Sequence, residues 1–309
     1  MERLPDRPGD GGLPGAFAAA VDVGNLRRWV AALSGLRHGS DNPAALEERA
    51  VAIERALTGW APVVASQSVP FAGRTYRNLI ATFPGREERL PTLLLGAHYD
   101  GPAGSPGADD NASGVAVLLE AARLLAGSRP RRTIRLVAFT LEEPQYPGRF
   151  LIGSRHYARH ARRQGDAYAV ALILESVGYC DQREGSQRLP PLVQMPHISR
   201  GDFLAVIGNH RSRAQAERFV HLAAPYAPQL PILPYCAPPL LARLIPRLYF
   251  SDHAAFWSEG YPALMLTDTV PLRNPHYHQP SDLPETLDDT FLAGVARAVI
   301  GAVHDWSQQ

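Results

Sequence analysis

His98, Asp100, Asp110, Glu142 and Glu143 stand at strand ends and loop mouths within one stretch of chain. It reads LLLGAHYDGPAGSPGADDNASGVAVLLEAARLL and then TIRLVAFTLEEP. Imidazole nitrogen and carboxylate oxygen are the donors that Zn²⁺ and similar divalent ions take. Glu175, which ends YAVALILE, and His278, in NPHYHQPSD, add further donors downstream. The chemistry such a set supports is metal-dependent hydrolysis at a two-metal site.

Each residue gains weight from its neighbours. A single histidine at a strand end is usually structural. Asp100, two positions after His98, can accept the other ring N–H of a metal-bound imidazole or orient it through its neighbours. Asp109, Asp110, Asn111 and Ser113 open a helix and could each cap it, but capping needs only one such residue. A carboxylate held there by backbone N–H groups can show one oxygen to each of two cations. Glu142 and Glu143 repel each other at a strand terminus unless cations or a shared proton compensate. They point to opposite sides of an extended chain, so one can ligate metal while the other takes a proton from water. A solvated loop tip is the alternative. Glu175 closes the apolar run AVALIL, where an unpaired carboxylate is costly, so it needs a cation or a donor network. Tyr277, between His276 and His278, can donate its phenol proton to a developing oxyanion.

The elements that must position these groups follow from periodicity. Residues 24–35 and 43–58 carry apolar residues at helical spacing, and helices are predicted over 112–126, 152–163 and 288–305. Val115, Leu118, Leu119, Ala122 and Leu125 form one apolar stripe on the first of these three. Segments 75–83, 92–97, 133–139 and 168–174 read as strands, the last three apolar enough to be covered on both faces. ALMLT, before the Tyr277 loop, is a further strand. Alternation of this kind predicts a mostly parallel sheet with helices on both faces. Residues 181–200 are polar, proline-rich and long for a connection, and they leave the Glu175 strand at the edge where such sheets place their sites. They shape a substrate pocket or form a surface excursion.

Composition removes other chemistries. The 31 basic residues are all arginine, so no lysine is present for a Schiff base, a pyridoxal phosphate link or a P-loop. A formal net charge of +1 gives no pull toward nucleic acid or an anionic membrane. Two cysteines, Cys180 and Cys236, exclude a disulfide framework and are expected as free thiols, with one bridge possible if they lie close. GGLPGAFAAAVDVG is too short and too glycine-rich for a signal or membrane segment, and the expected location is cytoplasmic.

The chain resembles the zinc aminopeptidases of metallopeptidase family 28, which share their fold with glutaminyl cyclases and transferrin-receptor ectodomains. GAHYD, GADDNASG, the EE pair, the strand-end acid with VGY, SDHAAFW and NPHYHQPSD occur in family order between about residues 75 and 290. The resemblance implies one zinc held by His98, Glu175 and Asp110, and a second held by Glu143, His278 and the same Asp110. It implies Glu142 as general base toward a metal-bridging water, and Tyr277 as an oxyanion donor. Asp252 and His253 would support the site or serve as structural hydrogen-bonding groups. Two departures stand out. The strand-end acid is often Asp where this chain has Glu175, and an arginine that helps place the substrate terminus in some aminopeptidases is here Phe250.

A peptide or aminoacyl-amide substrate is expected, with Zn²⁺ (two per chain) and no nucleic-acid or membrane partner. A cyclising acyltransferase of the glutaminyl-cyclase kind uses similar ligands but usually one zinc. A non-catalytic binding domain of this fold loses ligands, whereas every ligand position here holds a competent side chain. The expected fold class is α/β, a single domain over residues 1–309. It has an open, mixed, mostly parallel β-sheet with helices on both faces (a phosphorylase/hydrolase-like zinc aminopeptidase fold). Within it, 1–60 is an N-terminal helical part and 181–200 an active-site loop insertion.

Overall fold

The apolar runs that carry the candidate ligands lie side by side at the centre of an eight-stranded sheet of order β1-β2-β4-β3-β5-β8-β6-β7. The computed structural model describes residues 19–145, 149–190, 197–238 and 244–309. β3 (Thr92–His98) pairs in parallel with β4 (Ile134–Phe139) on one side and β5 (Tyr168–Glu175) on the other, and β5 pairs in parallel with β8 (Ala263–Thr267). The sheet is mixed because β1 (Val63–Phe71) and β2 (Arg74–Phe83) form an antiparallel hairpin at one edge, with β2 antiparallel to β4. At the other edge β6 (Leu204–Asn209) runs antiparallel to β8 and parallel to β7 (Ile232–Ala237). The β1–β2 turn places Ala72 and Gly73 at φ 47° and 76°, as a tight hairpin turn requires.

Both faces of the central strands are covered, and alternate residues serve different layers. Leu93, Leu95 and Ala97 of β3 pack into the larger core with α1 (Val23–Leu33), α2 (Pro43–Trp60), α3 (Gly114–Leu125), α5 (Arg213–Ala223) and α7 (Asp289–Ser307). Leu94 faces the opposite layer, where α4 (Ile152–Gln164) and α6 (His253–Ser258) bring Tyr157, Ala158 and Phe256 against Phe139 and Ile173. Gly96 must lack a side chain, because a Cβ there would come within 2.5 Å of the Phe139 ring.

The single α/β domain with a mostly parallel sheet matches the pattern-based expectation, and the predicted helices and strands fall within a few residues of their observed bounds. Two points differ. Periodicity assigns no element to residues 63–71 or 201–262, yet β1 occupies the first and β6, α5, β7 and α6 the second. The helix predicted from residue 112 begins at Gly114, after a distorted turn over Ala108–Ser113 in which Asp110 and Asn111 leave helical geometry. Cys180 and Cys236 are both free and half-buried. No described helix is long and apolar enough to cross a membrane. Residues 1–18 of the N-terminal part and 191–196 of the 181–200 segment lie outside the described residues.

Candidate metal centre

The C-terminal ends of β3, β4 and β5 converge on one point, since the chain leaves β3 with parallel neighbours on both sides and opens a crevice there. His98 is the last residue of β3 and Glu175 the last of β5, while Glu142 and Glu143 follow β4. Asp110 comes from the turn before α3, and its peptide bond to Asn111 is cis. His278 and Tyr277 enter on the loop after β8. Leu141, Ser176 and His278 turn the backbone sharply beside the site in the left-handed region, with φ of 54°, 48° and 58°. Such backbone costs about 1 kcal/mol or more per residue and persists where the surroundings over-determine it.

His98 Nε2 lies 3.3 Å from Asp110 Oδ1 and 3.4 Å from Glu175 Oε2. His278 Nε2 lies 3.1 Å from Asp110 Oδ2 and 3.6 Å from Glu143 Oε2. Asp110 thus turns one oxygen to each of two clusters, His98–Asp110–Glu175 and Asp110–Glu143–His278, and His98, Glu142 and Glu143 form a third overlapping group. Both ring nitrogens of His98, Asp110 Oδ1, Glu143 Oε1 and His278 Nε2 are buried without a hydrogen-bond partner among the described residues. Orphaned buried groups this close need an explanation, and divalent cations supply one for His98 Nε2, Asp110 Oδ1, Glu143 Oε1 and His278 Nε2, while His98 Nδ1 faces Asp100. The nitrogen and oxygen donors fit zinc.

Charge in the site is strongly coupled. Burial opposes the charged form of His98, but Glu175 and Glu142 outweigh it and raise the imidazole well above its ordinary value. Burial, reinforced by neighbouring carboxylates, pushes Glu142 and Glu143 well above the usual carboxylate range. Glu175 is also raised, chiefly by burial. For Asp110 burial is overcome by the two imidazoles beside it, His278 and His98, which hold it below the usual range. The Tyr277 phenol rises well above its ordinary value, through burial and then through Asp110 and Glu143. Its ring stacks on His278 with centroids 3.9 Å apart.

Asp100 lies 3.5 Å from His98 Nδ1, and its two oxygens accept the backbone N–H groups of Glu142 and Glu143. Asn111 Oδ1 accepts the N–H of Gly114, the first residue of α3, so one of these polar residues does cap the helix, while among the described residues no backbone N–H is bonded to the Asp110 carboxylate. Its neighbours make such bonds instead. Asp109 accepts from Gly178 N and Asn274 Nδ2, while Asn111 joins Leu174 O, Ser176 N and Gly114 N. Asp282 accepts the N–H groups of Asp109 and Asp110. Ser251 donates to Glu175 Oε2 at 2.7 Å. Asp252 is buried and pushed up to about 7, mainly by burial. His253 contacts Leu248 O and the Trp257 ring away from the ligand set, which is a structural placement.

Two supports escape sequence reading. Arg37, fully buried between α1 and α2, donates to the carbonyls of Tyr99, Pro106 and Gly107 and so holds the glycine-rich loop before Asp110. No local pattern around it signals this. Asp282 lies four residues after His278 in the NPHYHQPSD run, where an acid so near a ligand could have been singled out.

Residues 78–303 match the family described as Peptidase family M28. The Escherichia coli (strain K12) protein YfbL is 35% identical over 275 residues, which cover 86% of this chain and 82% of YfbL. The chain belongs to peptidase family M28. Aminopeptidase YwaD of Bacillus subtilis (strain 168) is 38% identical to this M28 peptidase over 91 residues, 29% of this chain and 19% of YwaD. A probable leucine aminopeptidase of Trichophyton verrucosum (strain HKI 0517) is 29% identical over 234 residues, 72% of this chain and 55% of the relative. The Legionella pneumophila LapA aminopeptidase structure superposes with TM-score 0.73 at 17% identity, covering 100% of this chain and 78% of LapA. Porphyromonas gingivalis glutaminyl cyclase gives 0.68 at 19% identity, covering 93% and 99%. Those two likenesses carry the fold. As an M28 peptidase, the chain is a zinc-dependent hydrolase.

Proposed function

We propose that this M28 peptidase is a two-zinc aminopeptidase, with Asp110 shared between the ions. The observation that carries this reading is the division of the Asp110 carboxylate, one oxygen toward His98 and the other toward His278. His98, Glu175 and Asp110 would hold one zinc, and Glu143, His278 and Asp110 the other. When bound, the ions supply Lewis acidity that acidifies water and polarises the scissile carbonyl.

The remaining steps belong to the chain. Glu142 lines a cleft of about 390 Å³ together with Tyr277 and Phe250. Its raised proton affinity suits it to take a proton from the attacking water, hold it, and deliver it to the leaving nitrogen. Tyr277 keeps its phenol proton across the neutral range and can donate to the oxygen that gains charge. Asp100 positions Glu142 and Glu143 through their backbone. An apolar cavity of about 120 Å³ adjoins the cleft and shares Met265, Thr267, Val270 and Pro271 with it. Leu189, Pro190 and Ile198 of the 181–200 segment close its far wall. It suits the apolar side chain of an N-terminal residue.

The test pairs zinc content per chain with hydrolysis of leucyl-arylamide before and after chelation. Two equivalents with chelator-sensitive release support the reading, and Glu142→Gln keeps the metal while losing about 10²–10⁴ in kcat. One equivalent without arylamide release would turn the assignment toward a cyclising acyltransferase.

A further inference from the structure

Beside the cleft, α4 and β1 enclose a second depression of about 410 Å³ with a different character. Residues 149–164, RFLIGSRHYARHARRQ, contain five arginines and two histidines and not one acid. Arg149, Arg155, Arg159, Arg163, His156 and His160 line the groove. Along α4 the positions 155 and 159, and 156, 160 and 163, fall at three- and four-residue spacing, so the cations share one side of the helix.

A charged helix face is ordinarily a solvated one, matched by acids nearby. Elsewhere in the molecule this holds, with Arg77 paired to Glu47 and Glu54, Arg123 to Glu120, Arg131 to Glu87 and Arg135 to Asp166. The groove is different. Among the described residues only Arg159 of its arginines has a carboxylate in range, Glu259 at 3.6 Å. His156 is lowered by partial burial and then by His160 and Arg163, as expected where positive charge accumulates unanswered.

The groove is also joined to the cleft. Phe150 lines both, with Arg155 stacked over its ring at 4.8 Å and Phe250 against it at 6.2 Å between centroids. The apolar cavity shares no lining residue with the groove. A peptide whose first side chain fills that cavity must leave the cleft by another way, and the Phe150 end leads to the arginines.

We infer that the α4 groove is an extended subsite for acidic residues downstream of the scissile bond, so that peptides with acidic segments behind an apolar N-terminus are the favoured substrates. The inference rests on the aminopeptidase reading. Opposite charge at a rim site acts mainly on capture of the substrate and weakens with salt.

The experiment uses the zinc-loaded protein and two peptides that share an N-terminal leucine and differ downstream only in glutamates against glutamines. The expected kcat/KM is about tenfold higher for the acidic peptide at low salt, shrinking toward parity near about 0.5 M salt. The double reversal Arg159→Glu, Arg163→Glu abolishes the ratio, and the corresponding Gln substitutions reduce it. Arg55→Glu, on exposed α2 surface, preserves it. Leucyl-arylamide hydrolysis without any acidic preference, or a preference untouched by the double reversal, overturns the inference. Absence of arylamide hydrolysis sinks the aminopeptidase reading instead. Fluorescence anisotropy with the acidic peptide then decides the groove: binding lost on double reversal supports it, and no binding overturns it. Equal binding of short single-stranded DNA, lost in the same variant, would replace the peptide subsite with a general polyanion surface.

Discussion

Asp100 accepts the backbone N–H of Glu142 at 3.0 Å while standing 3.5 Å from His98 Nδ1. One buried carboxylate therefore sets the height of the proposed base and the angle of a proposed ligand together. Asp100→Ala should loosen both, with zinc affinity falling about 10–100-fold. Asp100→Asn offers only one acceptor to two N–H donors, Glu142 and Glu143, and should recover little. Competition titration against a zinc chelator reads the loss, and wild-type affinity in both variants would remove Asp100 from the support.

His278 supplies the one imidazole of its cluster, on a half-buried side chain whose Nε2 is itself buried. His278→Ala leaves Asp110 and Glu143 there without imidazole. Zinc content should fall by one equivalent and turnover by about 10²–10³, the usual loss when one transition-state stabiliser goes. Elemental analysis of the purified variant checks it. Two equivalents retained would strike His278 from the ligand set.

Zinc-free protein should become less stable as pH rises from about 4 through about 7. Burial raises Glu142, Glu143 and Glu175, and pushes Asp252 and Asp282 to about 7. A carboxyl whose folded pKa lies above its unfolded one favours folding below the unfolded value and loses that advantage as pH climbs through the folded value. Thermal unfolding of chelated protein from pH 5 to 8 should show Tm falling, with the slope largely removed by zinc. A rising Tm in the chelated protein would contradict this charge balance.

Arg37→Ala strands the carbonyls of Tyr99, Pro106 and Gly107 in a buried setting. A loss of about 3 kcal/mol or more in unfolding free energy is expected. Lysine cannot copy a planar fork serving several carbonyls, so Arg37→Lys should recover only part. Denaturant unfolding of the zinc-loaded protein measures both.

His98, Glu175 and the Glu142–Glu143 pair were legible because they end or closely follow runs whose burial the sequence declares. LLLGAH ends on His98, AVALILE on Glu175, and LVAFT leads into Glu142 and Glu143. The edge strands were not. β1, VVASQSVPF, has a polar middle (Ser66, Gln67, Ser68) in place of alternation and carries Pro70, which only an edge tolerates, and β7 carries Pro234. The role of ADDN was half legible. Its residue types marked a site, but the division of labour depends on Gly178, Asn274 and Asp282, which arrive from far along the chain. Arg37 was silent for the same reason, since the carbonyls by which it holds the loop before Asp110 lie more than 60 residues away.

The candidate ligands run from residue 98 to residue 278 and come from separate segments that meet at the strand ends. No short stretch of the unfolded chain can gather them, so zinc held by this set would discriminate sharply between a finished molecule and a partly assembled one. The metal would then serve as a proofreader of folding. Its binding free energy would be withheld until β3, β5 and the loop after β8 have all docked, and released only to the native arrangement.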